Sequence, residues 1–541
     1  MGSTITKWLD KRWLLALLGG VLMCLAWEFD LWLFLFVSWL PWLHLLHKLV
    51  DTRTGFWKTY CYTYLAVFVW NALSVWWIQG ATVGGMIGAV VAMAACMALV
   101  LTLVVFGWQR LGNTWGIAAL IVGWIGFEYF FHNSEIAWPW LTLGNGLASA
   151  PWAVQWYEYT GILGGSLWIL LFNVLLYVVL TRWYVFVAKA RIIVVAFTGL
   201  VLLMPFILSW QLTPSVEPAG KGLEVVIVQP NVDPWNEKFS ALTDEEQVER
   251  MLALAKEKIT SATRLVVMPE TSIPSNIWLQ LVNETPAVTK IQTFLESYPH
   301  CRVVVGTTLL QYYQAQERPT KTARNLSDGD WYDAYNSALW LSNSPNETEH
   351  YYKSKLVVGV EMLPYPQLFR FLEKLSINLG GMVGSLGAQE HRTVFKTPDG
   401  VGVAPIICYE SVFGDFCTEY VRNGANLLAI ITNDGWWGDT PGYKNHFNYA
   451  KLRAIETRRW LVRSANTGIS GVIDPAGNVH ERLGWWQQGA IRSTVYPQSE
   501  LTFYVCWGDF LGRAAYFCIL GLIVGGVVAR FRARHGAILS R

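Results

Sequence analysis

The first 210 residues are a succession of apolar runs, after which the pattern changes to short β-rich runs alternating with helical ones. Seven apolar runs lie near 12–28, 31–48, 61–79, 83–108, 114–131, 161–181 and 190–210, and an eighth spans about Ala514 to Val528. A helix needs about 20 apolar residues to cross a hydrocarbon core of about 30 Å, so these runs predict a polytopic α-helical membrane domain of about eight transmembrane helices. The first run lacks an A-x-A site and is followed by further spans, so it reads as a retained anchor. Between the seventh and eighth runs, GLEVVIVQPN, RLVVMPET, RVVVGTTLL, YNSALWLS, GVGVAPIICYE, NLLAIITND and LVRSANTGISGVID predict strands. TDEEQVERMLALAKEKITSA, with its Thr-x-x-Glu capping box, and NYAKLRAIETRRW predict helices. The near-continuous apolar run VGVAPII implies a sheet covered on both faces, hence an α/β domain. Gln311 to Asp330 is polar and reads as an exposed loop. The expected organisation is a membrane domain at 1–220, an α/β domain at 221–500 and a closing span with a basic tail at 501–541.

Charge orients this arrangement. Lys7, Lys11 and Arg12 precede the first run, Lys48, Arg53 and Lys58 follow the second, Arg110 follows the fourth, and Arg182, Lys189 and Arg191 follow the sixth. The alternate loops lack Lys and Arg, and the tail is basic. The positive-inside rule therefore puts both termini in the cytoplasm and the α/β block on the opposite, periplasmic face of a bacterial inner membrane. Only 15% of residues are charged, against about 25% in soluble domains. A formal net charge of +2 provides no field for nucleic acid. The eight cysteines form no CxxC pair or His cluster at metal-ligand spacing, so neither a metal nor another cofactor is expected.

Within the α/β block, Cys408 ends an apolar strand pattern and precedes a helical one. Such a thiol is exposed at a strand end, where the positive end of the next helix lowers its pKa and supplies a donor to an oxyanion. A buried core cysteine is the plainer reading, and the better one for Cys417. Glu270 ends the strand pattern LVVMP, where burial raises a carboxylate toward the range of a general base; it also suits a turn cap. Lys353 follows an extended YY pair and, taken alone, reads as a solvated surface lysine. Tyr409 and Glu410 flank the thiol as pocket or packing residues. Trp235 and Phe239 lie in one aromatic loop and Trp436 and Trp437 in another, suited to lids, lipid-facing arms or core packing. Glu128 to Gly161, rich in tryptophan, reads as an interfacial segment, and Glu128 at its start, near the end of the fifth run, is an intramembrane carboxylate, hence a functional candidate.

Glu270 in MPET, Lys353 in YYKSKLVVGVEMLP, Cys408 in ICYES and the later RSANTGIS together resemble the nitrilase-like carbon-nitrogen hydrolases across 222–500. The resemblance implies an α-β-β-α sandwich. It also implies Cys408 as nucleophile, Glu270 as general base, Lys353 as the cation that stabilises the tetrahedral intermediate, and Glu361 as a supporting carboxylate. Where the family carries a Val-Pro-Phe-Gly-Glu type run, this chain has Val357 to Glu361 as VVGVE. With the leading and trailing spans added, the chain resembles a membrane-embedded acyltransferase branch of the family. That implies transfer of an acyl chain from a phospholipid, the sn-1 position of phosphatidylethanolamine, to the α-amine of a diacylglyceryl-modified apolipoprotein, with the bilayer as the third partner. A membrane-tethered amidase acting on a small soluble substrate is the competing reading, and a non-enzymatic scaffold the third.

Overall fold

The computed structural model describes residues 11–214, 220–314, 317–326, 329–365 and 385–539. They divide into two compact units. One takes in the described residues of Met1–Gln79, Val83–Leu212 and Asp509–Arg541; the other takes in Gly80–Thr82 and those of Thr213–Gly508.

The first unit is helical, with helices Arg12–Glu28, Leu35–Asp51, Phe56–Ser74, Val83–Asn133, Tyr157–Arg182, Ala188–Leu212 and Phe510–Leu539. Every expected apolar run overlaps one of them, although the run 61–79 continues past Ser74 into the 3-10 turn Trp76–Gly80. By length and composition, however, only four helical stretches among the described residues suffice to cross a membrane: Trp32–Asp51, Val83–Asn133, Tyr157–Arg182 and Ala188–Leu212. Arg12–Glu28 has only 17 residues, and Phe56–Ser74 is diluted by Lys58, Asn71 and several Thr and Tyr. The runs 83–108 and 114–131 belong to one helical stretch, interrupted at Gly112, where φ is 78°. Such a backbone is cheap only for glycine.

The expected interfacial segment is mostly packed inside this unit. Trp140 and Trp156 are buried, whereas Trp152 is 60% exposed. Glu128 accepts from the Trp124 indole at 3.0 Å and from Leu143 N–H at 2.9 Å. It thereby satisfies a free amide at the start of the 3-10 turn Leu143–Leu147.

The second unit holds two sheets. Its strands are β1 (Leu223–Gln229), β2 (Thr263–Val267), β3 (Ile273–Trp278), β4 (Arg302–Tyr313), β5 (Arg324–Asn325), β6 (Trp331–Leu341), β7 (Glu349–Tyr352), β8 (Phe395–Lys396), β9 (Gly402–Ile407), β10 (Leu427–Thr432), β11 (Trp460–Ala465), β12 (Ser470–Ile473), β13 (Val479–Leu483) and β14 (Gly489–Val495). The first sheet runs β14-β1-β2-β4-β6-β5, with β3 also on β4 and β7 on β6; the second runs β13-β12-β11-β10-β9-β8. Ser464 of β11 donates to the Val228 carbonyl of β1 at 2.7 Å, which ties the sheets face to face.

Helices cover the outer faces, giving an α-β-β-α layering. Asp244–Lys256 starts at Thr243 in a reciprocal capping box with Glu246, a cap worth about 1 kcal/mol. Its Val248 and Met251 join Ile291 and Leu295 of the helix Pro286–Glu296 over Val226, Val266 and Val303 of the first sheet. Each such side chain, fully buried, contributes about 1.5–3 kcal/mol. The continuous run expected at 461–474 is instead two antiparallel strands, β11 and β12. The expected loop at 311–330 begins with the last residues of β4 and contains β5.

Candidate active site

The first sheet supplies the charges. Glu270 follows β2, and Gly306 of β4 passes so close that a Cβ there would lie 2.6 Å from the Glu270 Cα. Only glycine allows that approach. Glu270 Oε1 accepts from Lys353 Nζ at 3.1 Å and from Asn336 Nδ2 at 2.8 Å, and its Oε2 accepts from Asn433 N–H at 3.1 Å. Lys353 follows β7, anchored by its N–H on the Asn336 carbonyl at 2.8 Å. Its Nζ also reaches Glu361 Oε1 at 2.9 Å, and Asn336 Nδ2 bonds the same oxygen at 2.8 Å. One ammonium and one amide therefore bridge two carboxylates. The VVGVE segment closes as a tight turn, with Glu361 N–H on the Val357 carbonyl and Val357 N–H on Glu361 Oε2, both at 2.8 Å.

The second sheet supplies the thiol. Cys408 directly follows β9, is buried, and has φ of 50°, a left-handed backbone that is strained for a residue with a Cβ. A 3-10 turn, Cys408–Val412, separates it from the helix Gly414–Arg422. Glu410 is fully buried and works as a clamp. Its Oε1 accepts from the Tyr351 hydroxyl and from Ser354 N–H, both at 2.6 Å, and its Oε2 accepts from Ile407 N–H at 2.8 Å. Residues adjoining Lys353 and Cys408 are thus held on one carboxylate. Tyr409 packs edge-on against Phe413 at 5.0 Å.

Two protonation expectations are corrected. Burial pushes the Cys408 thiol well above its ordinary value, and Glu270 adds to this while Lys353 opposes it. The helix that was expected to lower it starts too far along the chain. Glu270 is held below the ordinary carboxylate value: burial alone would raise it, but Lys353, Asn336 and Lys238 outweigh burial. For Lys353, burial pulls the ammonium down, and Glu270 and Glu361 more than offset it, leaving it well above the ordinary lysine value. At rest the thiol is therefore neutral, Lys353 an ammonium and Glu270 a carboxylate.

The aromatic residues meet around Trp436. Trp235 packs edge-on against it at 4.9 Å and Phe239 stacks at 6.0 Å, while Trp437 turns to the His446 ring at 5.5 Å. Trp235 is 52% exposed, so this is a partly open cluster. Three participants escaped the sequence reading. Asn336 is one of three buried polar residues of β6, with Asp333 and Ser337, so its polarity alone does not single it out. Lys238, between Trp235 and the helix Asp244–Lys256, is buried and donates to the Glu270 carbonyl at 3.1 Å. Burial lowers it to about 7, with Glu270 opposing. His446 lies in the same loop-helix segment as the noted tryptophans.

A family model described as carbon-nitrogen hydrolase matches residues 224–500, and one described as apolipoprotein N-acyltransferase N-terminal domain matches residues 19–175. The chain is 29% identical over 524 residues to an apolipoprotein N-acyltransferase of Chlorobaculum tepidum, covering 94% of this chain and 95% of the relative. It is 30% identical over 416 residues to a protein of that name from Gloeobacter violaceus, covering 76% and 72%. Among solved structures, a Saccharomyces cerevisiae member of branch 10 of the nitrilase superfamily is similar over 52% of this chain and 93% of its own, at 16% identity and a TM-score of 0.35.

Proposed function

We propose a reaction on the premise that the chain belongs to the apolipoprotein N-acyltransferase family, its second unit being a carbon-nitrogen hydrolase domain. The reaction moves a fatty acyl chain from a phospholipid, phosphatidylethanolamine being the expected donor, through a Cys408 thioester to the α-amine of a diacylglyceryl-cysteine. In the first half, Glu270 takes the thiol proton as sulfur attacks the ester carbonyl. The C–O bond then breaks, and the proton goes to the departing lysophospholipid. In the second half the amine attacks the thioester, Glu270 takes its proton, and the proton returns to the leaving thiolate. Splitting one slow aminolysis into two steps gives ping-pong kinetics.

The observation that carries this reading is the ammonium of Lys353 shared between Glu270 and Glu361, within electrostatic reach of the Cys408 thiol. A low carboxylate and a high thiol make proton transfer uphill in isolation. Within this cluster the net charge does not change: as Glu270 is neutralised, the Lys353 charge it releases is available to the thiolate and then to the oxyanion. The thiol therefore stays neutral until an ester arrives.

The aromatic cluster of Trp235, Phe239 and Trp436 is read as an acyl-chain contact that shields the thioester from water. Membrane placement follows from charge: eight spans, with Gly112 dividing the longest helical stretch, both termini cytoplasmic and the second unit periplasmic on a bacterial inner membrane. The expected boundaries at 220 and 500 then separate anchor from catalyst.

The test is a chase. The full chain in detergent is loaded with phosphatidylethanolamine, freed of lipid and given a diacylglyceryl-cysteine peptide. The acyl chain should move to the peptide amine, and Cys408→Ala protein should carry nothing to transfer. Release of the chain to water regardless of the peptide would instead indicate a hydrolase.

A further inference from the structure

The strained Cys408 backbone needs something to hold it, and the residues that hold it are absent from the reaction just described. The Cys408 carbonyl accepts from the Ser411 hydroxyl at 2.7 Å and faces His446 Nε2 at 3.2 Å, with Nε2 also 3.0 Å from Ser411 Oγ. On its other side, His446 Nδ1 lies 2.9 Å from Asp434 Oδ1. Asp434 is held in turn. Its Oδ2 accepts from Arg463 Nη2 at 2.5 Å, and its Oδ1 accepts from the Thr432 hydroxyl at 2.8 Å. Asp434, His446, Arg463, Thr432 and Ser411 have no solvent exposure. One carboxylate, itself held by Arg463 and Thr432, thus reaches the Cys408 carbonyl through His446.

A metal centre is the obvious alternative, because ligand atoms of Cys408, Asp434 and His446 lie within 4.8 Å of one another. The surroundings oppose it. Both Asp434 oxygens and both His446 nitrogens already have protein partners, and Arg463 Nη2 stands 3.1 Å from His446 Nδ1. A cation there would face a guanidinium. Donor sets that bind metals carry supporting carboxylates or carbonyls behind the imidazole, not a positive charge against it.

We infer that Asp434, held by Arg463 and Thr432 and acting through His446, is a brace that fixes the left-handed backbone of Cys408 and so aims its sulfur at the incoming ester. These are positioning residues, and the inference rests on the reading of Cys408 as the acyl carrier. Misplacing a reacting atom by about 1 Å costs on the order of 100-fold in rate, so the brace acts on the rate of thioester formation and leaves lipid binding alone.

The experiment follows acylation of the full chain by phosphatidylethanolamine in mixed micelles, read by intact mass against time. Thermal unfolding is recorded beside it. His446→Leu is expected to slow acylation by about 100-fold at unchanged half-saturating lipid concentration. His446→Gln, whose amide offers both a donor and an acceptor near the place of Nε2, recovers most of the rate. Thr432→Val removes one of the bonds that hold Asp434 with little change of shape, and should slow acylation about 10-fold, the cost of losing one ordinary hydrogen bond of about 1–1.5 kcal/mol, at an unchanged unfolding temperature. Should His446→Leu not fold, Thr432→Val decides: acylation at the wild-type rate overturns the brace. Equal loss in His446→Leu and His446→Gln together with their unfolding temperatures also overturns it, as a merely structural role. Loss of wild-type activity on chelation, with a stoichiometric metal in the purified protein, replaces it with a metal site. Absence of any acyl adduct on wild-type Cys408 would instead sink the acyl-carrier reading, and the brace with it.

Discussion

The two sheets of the second unit contribute unlike halves of the site. The first sheet presents Glu270, Asn336 and Lys353, with Glu361 just beyond, and holds them by side-chain hydrogen bonds among charges. The second presents Cys408, held by a strained backbone and by neutralised polar groups behind it. Proton handling needs charges whose partners can be exchanged during the reaction. A nucleophile needs one geometry. The lesson is that the same burial serves both halves differently: it strengthens ion pairing in one and suppresses ionisation of the thiol in the other.

The sharpest way to break this division is Lys353→Met, which leaves two buried carboxylates without their shared cation. We expect acyl transfer to vanish and stability to fall by about 3–5 kcal/mol in thermal unfolding. The deficit should shrink at acid pH, because without the cation the two facing carboxylates repel each other and protonating one of them relieves that repulsion. A variant as stable as wild type at neutral pH would show that the charges are not mutually dependent.

Asn336→Leu is milder. It removes one donor from each carboxylate, hydrogen bonds worth about 1.5–3 kcal/mol to a charged group. The Glu270 carboxyl should then rise. A base works only above its pKa, so activity is lost as pH falls through it. The acidic limb of the acylation rate should therefore move to higher pH by about one unit, with the alkaline side unchanged. A fixed acidic limb would assign that titration to another group.

The first sheet's half was more legible in the sequence than its surroundings. Glu270 and Lys353 ended strand patterns, and Cys408 ended the apolar run VGVAPII; the structure puts all three at strand ends. Their protonation was misread because a pKa depends on partners brought from afar. Asn336 lies 66 residues from Glu270 and Asn433 lies 163 residues from it. The same holds for Lys238, beside Trp235 and Phe239, and for His446, in the segment of Trp436 and Trp437: each gains meaning only from what it touches. In the fold, β13 and β14 escaped notice because residues such as His480, Glu481 and Arg482 leave a strand exposed and without an apolar alternation. The runs 83–108 and 114–131 read as two separate spans, yet one helical stretch interrupted at Gly112 carries both.

The central claim is that Glu270 activates Cys408. Its most direct test is the rate at which the Glu270→Gln protein takes up an acyl chain from phosphatidylethanolamine with no acceptor present, with the site of attachment found by peptide mass. The account predicts a chain on Cys408 in the wild-type protein, formed about 10²–10⁴-fold more slowly in the variant at a similar unfolding temperature. Acylation of the variant at the wild-type rate, or attachment to any other residue, would contradict it.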